Sequence, residues 1–200
     1  MLLMRHFGWF LLLPTQAPAE TVLYQLLPSP GSRFELRVHK TGLMRGKTHV
    51  FALERYRGAL FYDPQSPTGS RVELTVEASS VLCKDTWVSA KDLKDIQEHT
   101  FKKMLEPDRY PELNFSSTGI RAVAGDEYAI QGALTIRRLS RPVAVMVRTS
   151  TNPNEEGLLL TGSARLKMTD YGLKPPSAVL GAIGTKDEME VSFSLRAFHR

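Results

Sequence analysis

Over most of its length this chain alternates apolar and polar residues one for one, and that period of two limits its fold more than any other feature. Phe34, Leu36 and Val38 alternate with Glu35, Arg37 and His39. Val72, Leu74, Val76 and Ala78 alternate with Glu73, Thr75, Glu77 and Ser79, and Leu113, Phe115 and Ser117 lead on to Ile120. Tyr128, Ile130, Gly132, Leu134 and Ile136 form the clearest run. Val143, Val145 and Val147 follow Pro142; Leu158, Leu160, Gly162, Ala164, Leu166 and Met168 make another run, and Met189 to Ala197 the last. Successive side chains of a strand point to opposite faces, so each run is a strand with one apolar face. Turn chemistry separates them at Pro28–Gly31, Asp63–Ser70, Ala124–Asp126, Asn152–Gly157 and Lys174–Ser177. Many strands with no helices between them predict an antiparallel sandwich or barrel.

One segment departs from period two. From Lys91 to Leu105 the residues Leu93, Ile96, Phe101, Met104 and Leu105 recur at helical spacing, with Asp92 and Asp95 early and Lys102 and Lys103 late, as the helix dipole favours. Pro107 ends it. This predicts one amphipathic helix laid against the sheet or across a barrel mouth. Gly58, Gly132 and Gly162 interrupt strands, where glycine marks a bend or a close approach. Neither a repeat nor a low-complexity linker divides the chain, so residues 20–200 read as one domain.

The N-terminus reads as a leader. Arg5 precedes the apolar run Phe7–Leu13, Pro14 breaks it, and Ala17-Pro18-Ala19 supplies the small residues of a signal-peptidase site. The run is far short of the ~20 residues that span a bilayer as a helix. Residues 1–19 are therefore expected to be removed on export, giving a periplasmic or secreted protein that begins at Glu20. The single cysteine, Cys83, excludes an intrachain disulfide and suits a small buried hydrophobe. The formal net charge of +5 falls to +4 with loss of Arg5, and its bases are scattered. That argues against nucleic-acid binding, which needs a dense basic stripe with stacking aromatics, and is compatible with transient contact with an anionic membrane surface.

Catalytic motifs are absent: there is no G-x-S-x-G elbow, H-E-x-x-H, phosphate-binding glycine loop or cysteine pair. A hairpin turning near Met44 would pair His39 with His49 on one face. Zinc needs at least three protein ligands, and the local sequence supplies no third. No metal and no cofactor is expected.

Separate motifs in one order carry a family resemblance. Tyr110-Pro111-Glu112-Leu113-Asn114-Phe115-Ser116-Ser117-Thr118, then Gln131-Gly132-Ala133-Leu134-Thr135-Ile136 with Ser140-Arg141-Pro142-Val143, then Asp170-Tyr171-Gly172-Leu173, resemble the signature stretches of the YceI-like family. The resemblance covers roughly Tyr24 to the C-terminus. It implies an all-β, lipocalin-like antiparallel barrel of about eight strands, with room for one small ligand. It also implies an exported protein that binds polyisoprenoid lipids of polyprenyl or quinone type, with no catalytic residues to carry across. The apolar face of the alternating runs supplies the candidate ligand-binding residues Leu36, Leu74, Phe115, Ile130, Leu134, Val145, Leu160 and Phe193. The expected function is a non-enzymatic protein that carries or sequesters the lipid, with the oligomeric state left open and a homodimer allowed. The alternatives are a lipid-modifying enzyme using the same cavity, and a filled barrel serving as an interaction module.

Overall fold

The computed structural model describes residues 21–152 and 155–199; the expected leader lies outside them. Its strands, all antiparallel, are β1 (Val22–Leu26), β2 (Arg33–Gly42), β3 (Thr48–Leu53), β4 (Tyr56–Tyr62), β5 (Arg71–Glu77), β6 (Val81–Cys83), β7 (Glu112–Ala124), β8 (Glu127–Ile136), β9 (Leu139–Asn152), β10 (Glu155–Lys167) and β11 (Ile183–His199). The ladder runs β1-β4-β5-β7-β8-β9-β10-β11, and β1 pairs with β11 to close it. This is an eight-stranded barrel. β2 and β3 prolong it: β2 continues β1 along β11, β3 continues β4 along the same neighbours, and β6 continues β5. Three of the eight barrel strands are thus bent pairs.

The bends have local causes. Pro28 to Ser32 loops out between β1 and β2, where Pro28 and Pro30 cannot donate to a ladder. At the other two bends the fully buried Ser80 hydroxyl receives the Arg55 N–H at 3.0 Å and donates to the Glu77 carbonyl at 2.7 Å. One side chain so replaces the ladder bonds that both kinked strands give up. The short strands β1, β4 and β6 are absent from the period-two runs because apolar residues stand side by side in each, as Val22-Leu23-Tyr24, Ala59-Leu60-Phe61 and Val81-Leu82-Cys83.

The alternating runs keep their apolar residues on one face of the ladder. Leu36, Leu74, Leu134 and Leu160 face inward, whereas Glu35, Glu73 and Gln131 face outward. The apolar face is therefore inside, the reverse of a membrane-spanning barrel with its lipid-facing exterior. In β7 a bulge between Ser117 and Gly119 shifts the phase, so the inward set passes from Phe115 to Ile120.

The helix α1 (Ala90–His99) is capped by Ser89, whose hydroxyl accepts the Asp92 N–H at 3.1 Å, and it runs into a π-helical turn at Thr100–Leu105. Wider winding rotates the following side chains. Met104 and Leu105 reach the interior, while Phe101, counted on the apolar face from the sequence, stays outside the core cluster. Helix α1 also solves an edge problem. β6 pairs with β3 on one side only, and the Gln97 side-chain amide occupies the other edge, accepting the Cys83 N–H at 2.8 Å and donating to the Val81 carbonyl at 3.0 Å. Gln97→Ala leaves two buried backbone groups without those partners. It should lower stability by about 1–3 kcal/mol in urea unfolding, whereas replacing the neighbouring exposed Glu98 with alanine should change it by less than about 0.5 kcal/mol.

Candidate functional site

The barrel encloses a cavity of about 480 Å³. Packed protein interiors leave few voids larger than a water molecule, so this is no packing defect; its size is that of a small-molecule site. Its wall is almost entirely carbon. All eight candidate residues line it: Leu36, Leu74, Phe115, Ile130, Leu134, Val145, Leu160 and Phe193. They come from β2, β5, β7, β8, β9, β10 and β11, so the closed ladder turns separate alternating runs into one continuous surface.

Two of the strand glycines shape that wall. A β-carbon at Gly132 would stand 2.3 Å from the Phe115 ring, and one at Gly162 would stand 2.4 Å from the Phe193 ring. Each glycine makes room for an aromatic ring from the neighbouring strand to lie across it. The space beside Gly132 is filled, and the open volume lies at the barrel's centre.

The two ends of the cavity differ. One is ringed by Tyr62, Ser70, Tyr128 and Thr149. Burial raises the Tyr62 phenol above its ordinary range, and the nearby Tyr128, Tyr24, Asp126 and Asp63 add to this, so it remains a neutral donor. The other end lies under α1 and its π-helical turn, where Ile96, Met104 and Leu105 form part of the lining beside Lys40 and His49. Burial draws the Lys40 ammonium below the ordinary lysine value.

The two histidines do not share a face. The β2–β3 hairpin forms as expected, but its register pairs Val38 with His49 and His39 with Thr48. A one-residue difference in register sends a side chain through the sheet. His49 points inward, while His39 points outward, its Nδ1 2.9 Å from the Thr48 hydroxyl and its Nε2 3.6 Å from Glu190.

His49 instead meets residues brought from far along the chain by the β3–β6 ladder. Its Nδ1 lies 2.5 Å from Oδ2 of the buried Asp85, whose Oδ1 accepts the Val50 N–H at 2.8 Å. Trp87 stacks on the imidazole with ring centroids 5.3 Å apart. Donor atoms of His49, Asp85 and Cys83 all lie within 4.8 Å of one another. These three could ligate a metal ion; the third donor that the local sequence lacks is supplied by tertiary structure. The donors of this cluster already have partners within the protein, however. Burial pushes the Cys83 thiol up to about 11, so it stays protonated, and Asp85 is engaged by His49 and by backbone. A cation bound by all three would have to displace the thiol proton and compete with the existing partners of Asp85. Chelator treatment is therefore expected to leave the unfolding midpoint unchanged. Stoichiometric zinc in purified protein, lost in His49→Ala, is the result that would contradict this.

The motif stretches also meet in space. Arg141 Nε donates to the Asp170 carbonyl at 2.9 Å, joining the β9 stretch to the Asp170–Leu173 turn, where Tyr171 and Leu173 are buried. Leu173 itself lines the cavity.

A closed antiparallel barrel with a carbon-lined interior and a helix across one mouth defines the lipocalin-like class. Within that class the chain belongs to the YceI-like family, whose domain model matches residues 24–197. It is 24% identical over 123 residues to a UPF0312 protein of Azotobacter vinelandii, covering 60% of each chain, and 20% identical over 144 residues to one of Pseudomonas savastanoi, covering 68% of this chain and 67% of that one. Among solved structures it is similar to Burkholderia cenocepacia BcnA, with TM-score 0.66 and 18% identity over 82% of this chain and 94% of that chain. The Campylobacter jejuni YceI protein superposes with TM-score 0.55 and 14% identity, over 74% of this chain and 82% of that chain. At these identities the structural matches establish the fold. The family and the cavity are together consistent with binding an apolar ligand.

Proposed function

We propose that the chain is an exported, non-enzymatic carrier that holds an isoprenoid lipid, of polyprenyl or quinone type, inside the barrel. The observation that carries this reading is the 480 Å³ interior lined by aliphatic and aromatic side chains. Such a space is poorly hydrated and takes up apolar guests. Burying a methylene contributes ~0.8 kcal/mol, so a five-carbon isoprene unit contributes roughly 3–4 kcal/mol. Micromolar affinity needs about −8 kcal/mol. A few buried units reach that even after association costs of several kcal/mol. Tail burial therefore dominates affinity, and the polar groups at the two ends select the head.

Export rests on the N-terminal leader pattern, and carriage without turnover on the absence of a catalytic motif from the sequence. The test is expression with the native leader, followed by native mass spectrometry and lipid extraction of the exported protein. A chain beginning at Glu20 with a stoichiometric long-chain isoprenoid is expected. Cytoplasmic protein retaining Met1 would overturn export, and chemical turnover of the bound lipid would favour an enzyme.

A further inference from the structure

At the α1 end of the barrel, two chain segments join into one projecting tip. The β2–β3 turn and the loop leading into β11 are tied by the Leu43 N–H, which donates to the Ala182 carbonyl at 3.0 Å, and by the pairing of Gly42 with Ile183. Gly42 is needed for that approach, since a β-carbon there would stand 2.1 Å from the same carbonyl. The tip carries three large aliphatic side chains aimed at solvent: Leu43, Val179 and Leu180, with 80%, 65% and 110% of their surface exposed. Val179 and Leu180 take positive φ of 52° and 50°. That conformation is a true outlier for a β-branched residue. The loop thus accepts strain while burying neither side chain.

The two segments that form the tip carry charge of one sign, the nearest acids in sequence being Asp187 and Glu188 of β11. Residues 40–47 and 174–186 contain five bases and no acid. Of these, Arg45, Lys47, Lys174 and Lys186 are exposed, and none is in an ion pair among the described residues. The same loop contributes Pro176 and Thr185 to the cavity wall. An apolar point inside a basic collar, beside the entrance of a carbon-lined cavity, has the chemistry of an interfacial anchor.

We propose that this tip docks on an anionic lipid bilayer, with Leu43, Val179 and Leu180 entering the headgroup–acyl boundary and the basic collar meeting the lipid phosphates. Docking there sets the cavity mouth at the membrane surface. This goes beyond the carrier reading and is measured without any cavity ligand, so the two stand or fall separately.

Cys83 is buried and its thiol is held protonated. A Leu180→Cys variant of the full chain can therefore be labelled selectively with an environment-sensitive nitrobenzoxadiazole probe. Asp126→Cys, in the β7–β8 turn at the opposite end, is the reference position. With vesicles of equal parts phosphatidylglycerol and phosphatidylethanolamine, the Leu180 probe should brighten and shift to the blue while the Asp126 probe does not. The response should be at least several-fold weaker with phosphatidylcholine vesicles or at ~1 M salt, where screening is nearly complete beyond ~3 Å. Lys174→Glu with Lys186→Glu should weaken vesicle binding about tenfold or more. No response at Leu180, or equal responses at both positions, overturns the proposal. A response that grows with protein concentration without vesicles also overturns it, and assigns the tip to a second copy of the chain.

Discussion

Replacing Leu134 with tryptophan should leave the ligand-free barrel about as stable as the parent and lower its affinity for an isoprenoid lipid at least a hundredfold. Leu134 lies on the inner face of β8, opposite Phe115 in the ladder, and is only half-buried because it borders the cavity. In a packed core such an enlargement costs ~1–3 kcal/mol. Here the indole can extend into open volume. The affinity loss follows from displacement, since excluding even one isoprene unit removes roughly 3–4 kcal/mol of tail burial, and 1.4 kcal/mol is tenfold in affinity. The check pairs urea unfolding of delipidated protein with titration of a fluorescent isoprenoid. Delipidation matters because bound lipid stabilises the parent by mass action. Strong destabilisation of the variant, with no binding detectable in the parent, would mean that the interior is filled in solution and would remove the carrier reading.

The opposite result is expected where the wall is already full. Gly162→Val should destabilise the protein by about 3 kcal/mol or more. The first added carbon would stand 2.4 Å from both the Phe193 ring and the Met146 carbonyl. The ring can swing aside into the cavity, but the carbonyl is held in the β9–β10 ladder and cannot. The same variant should also bind lipid more weakly, because the displaced Phe193 ring enters the ligand's space. Gly119→Ala is the contrast. No atom lies within 4 Å of its added carbon, and its φ is not positive. The urea midpoint should therefore hold or rise slightly, since alanine reduces the freedom of the unfolded chain. Comparable losses at Gly119 and Gly162 would contradict this account of the wall.

The contrast between these two strands shows what was legible beforehand. That Leu134 faces the interior follows from alternation alone, and the same holds for all eight candidate residues. That Gly162 is indispensable does not follow, because the ring that lies over it belongs to β11, some thirty residues further on. The helix was legible from its spacing and from Asp92 and Asp95 early with Lys102 and Lys103 late, although its Ser89 cap was not. That Met104 and Leu105 turn inward was legible too; the π-helical end, whose wider winding leaves Phe101 outside the core, was not.

Local pattern by itself determined the long strands, the apolar face of their alternating runs, the main turns and that one helix interrupts the sheet, but not the short strands β1, β4 and β6. These are properties of adjacent residues, set by backbone geometry with a period of two or 3.6. Tertiary structure alone decided closure, register and long-range company. β1 meets β11 across almost the whole chain, and a single step of hairpin register parts His39 from His49. The β3–β6 ladder brings Asp85 and Cys83 to that inward histidine, and the Leu43 turn joins the Val179–Leu180 loop. Each depends on pairing between segments distant in sequence, where the energy lies in ladder bonds and packing that no window of neighbouring residues contains.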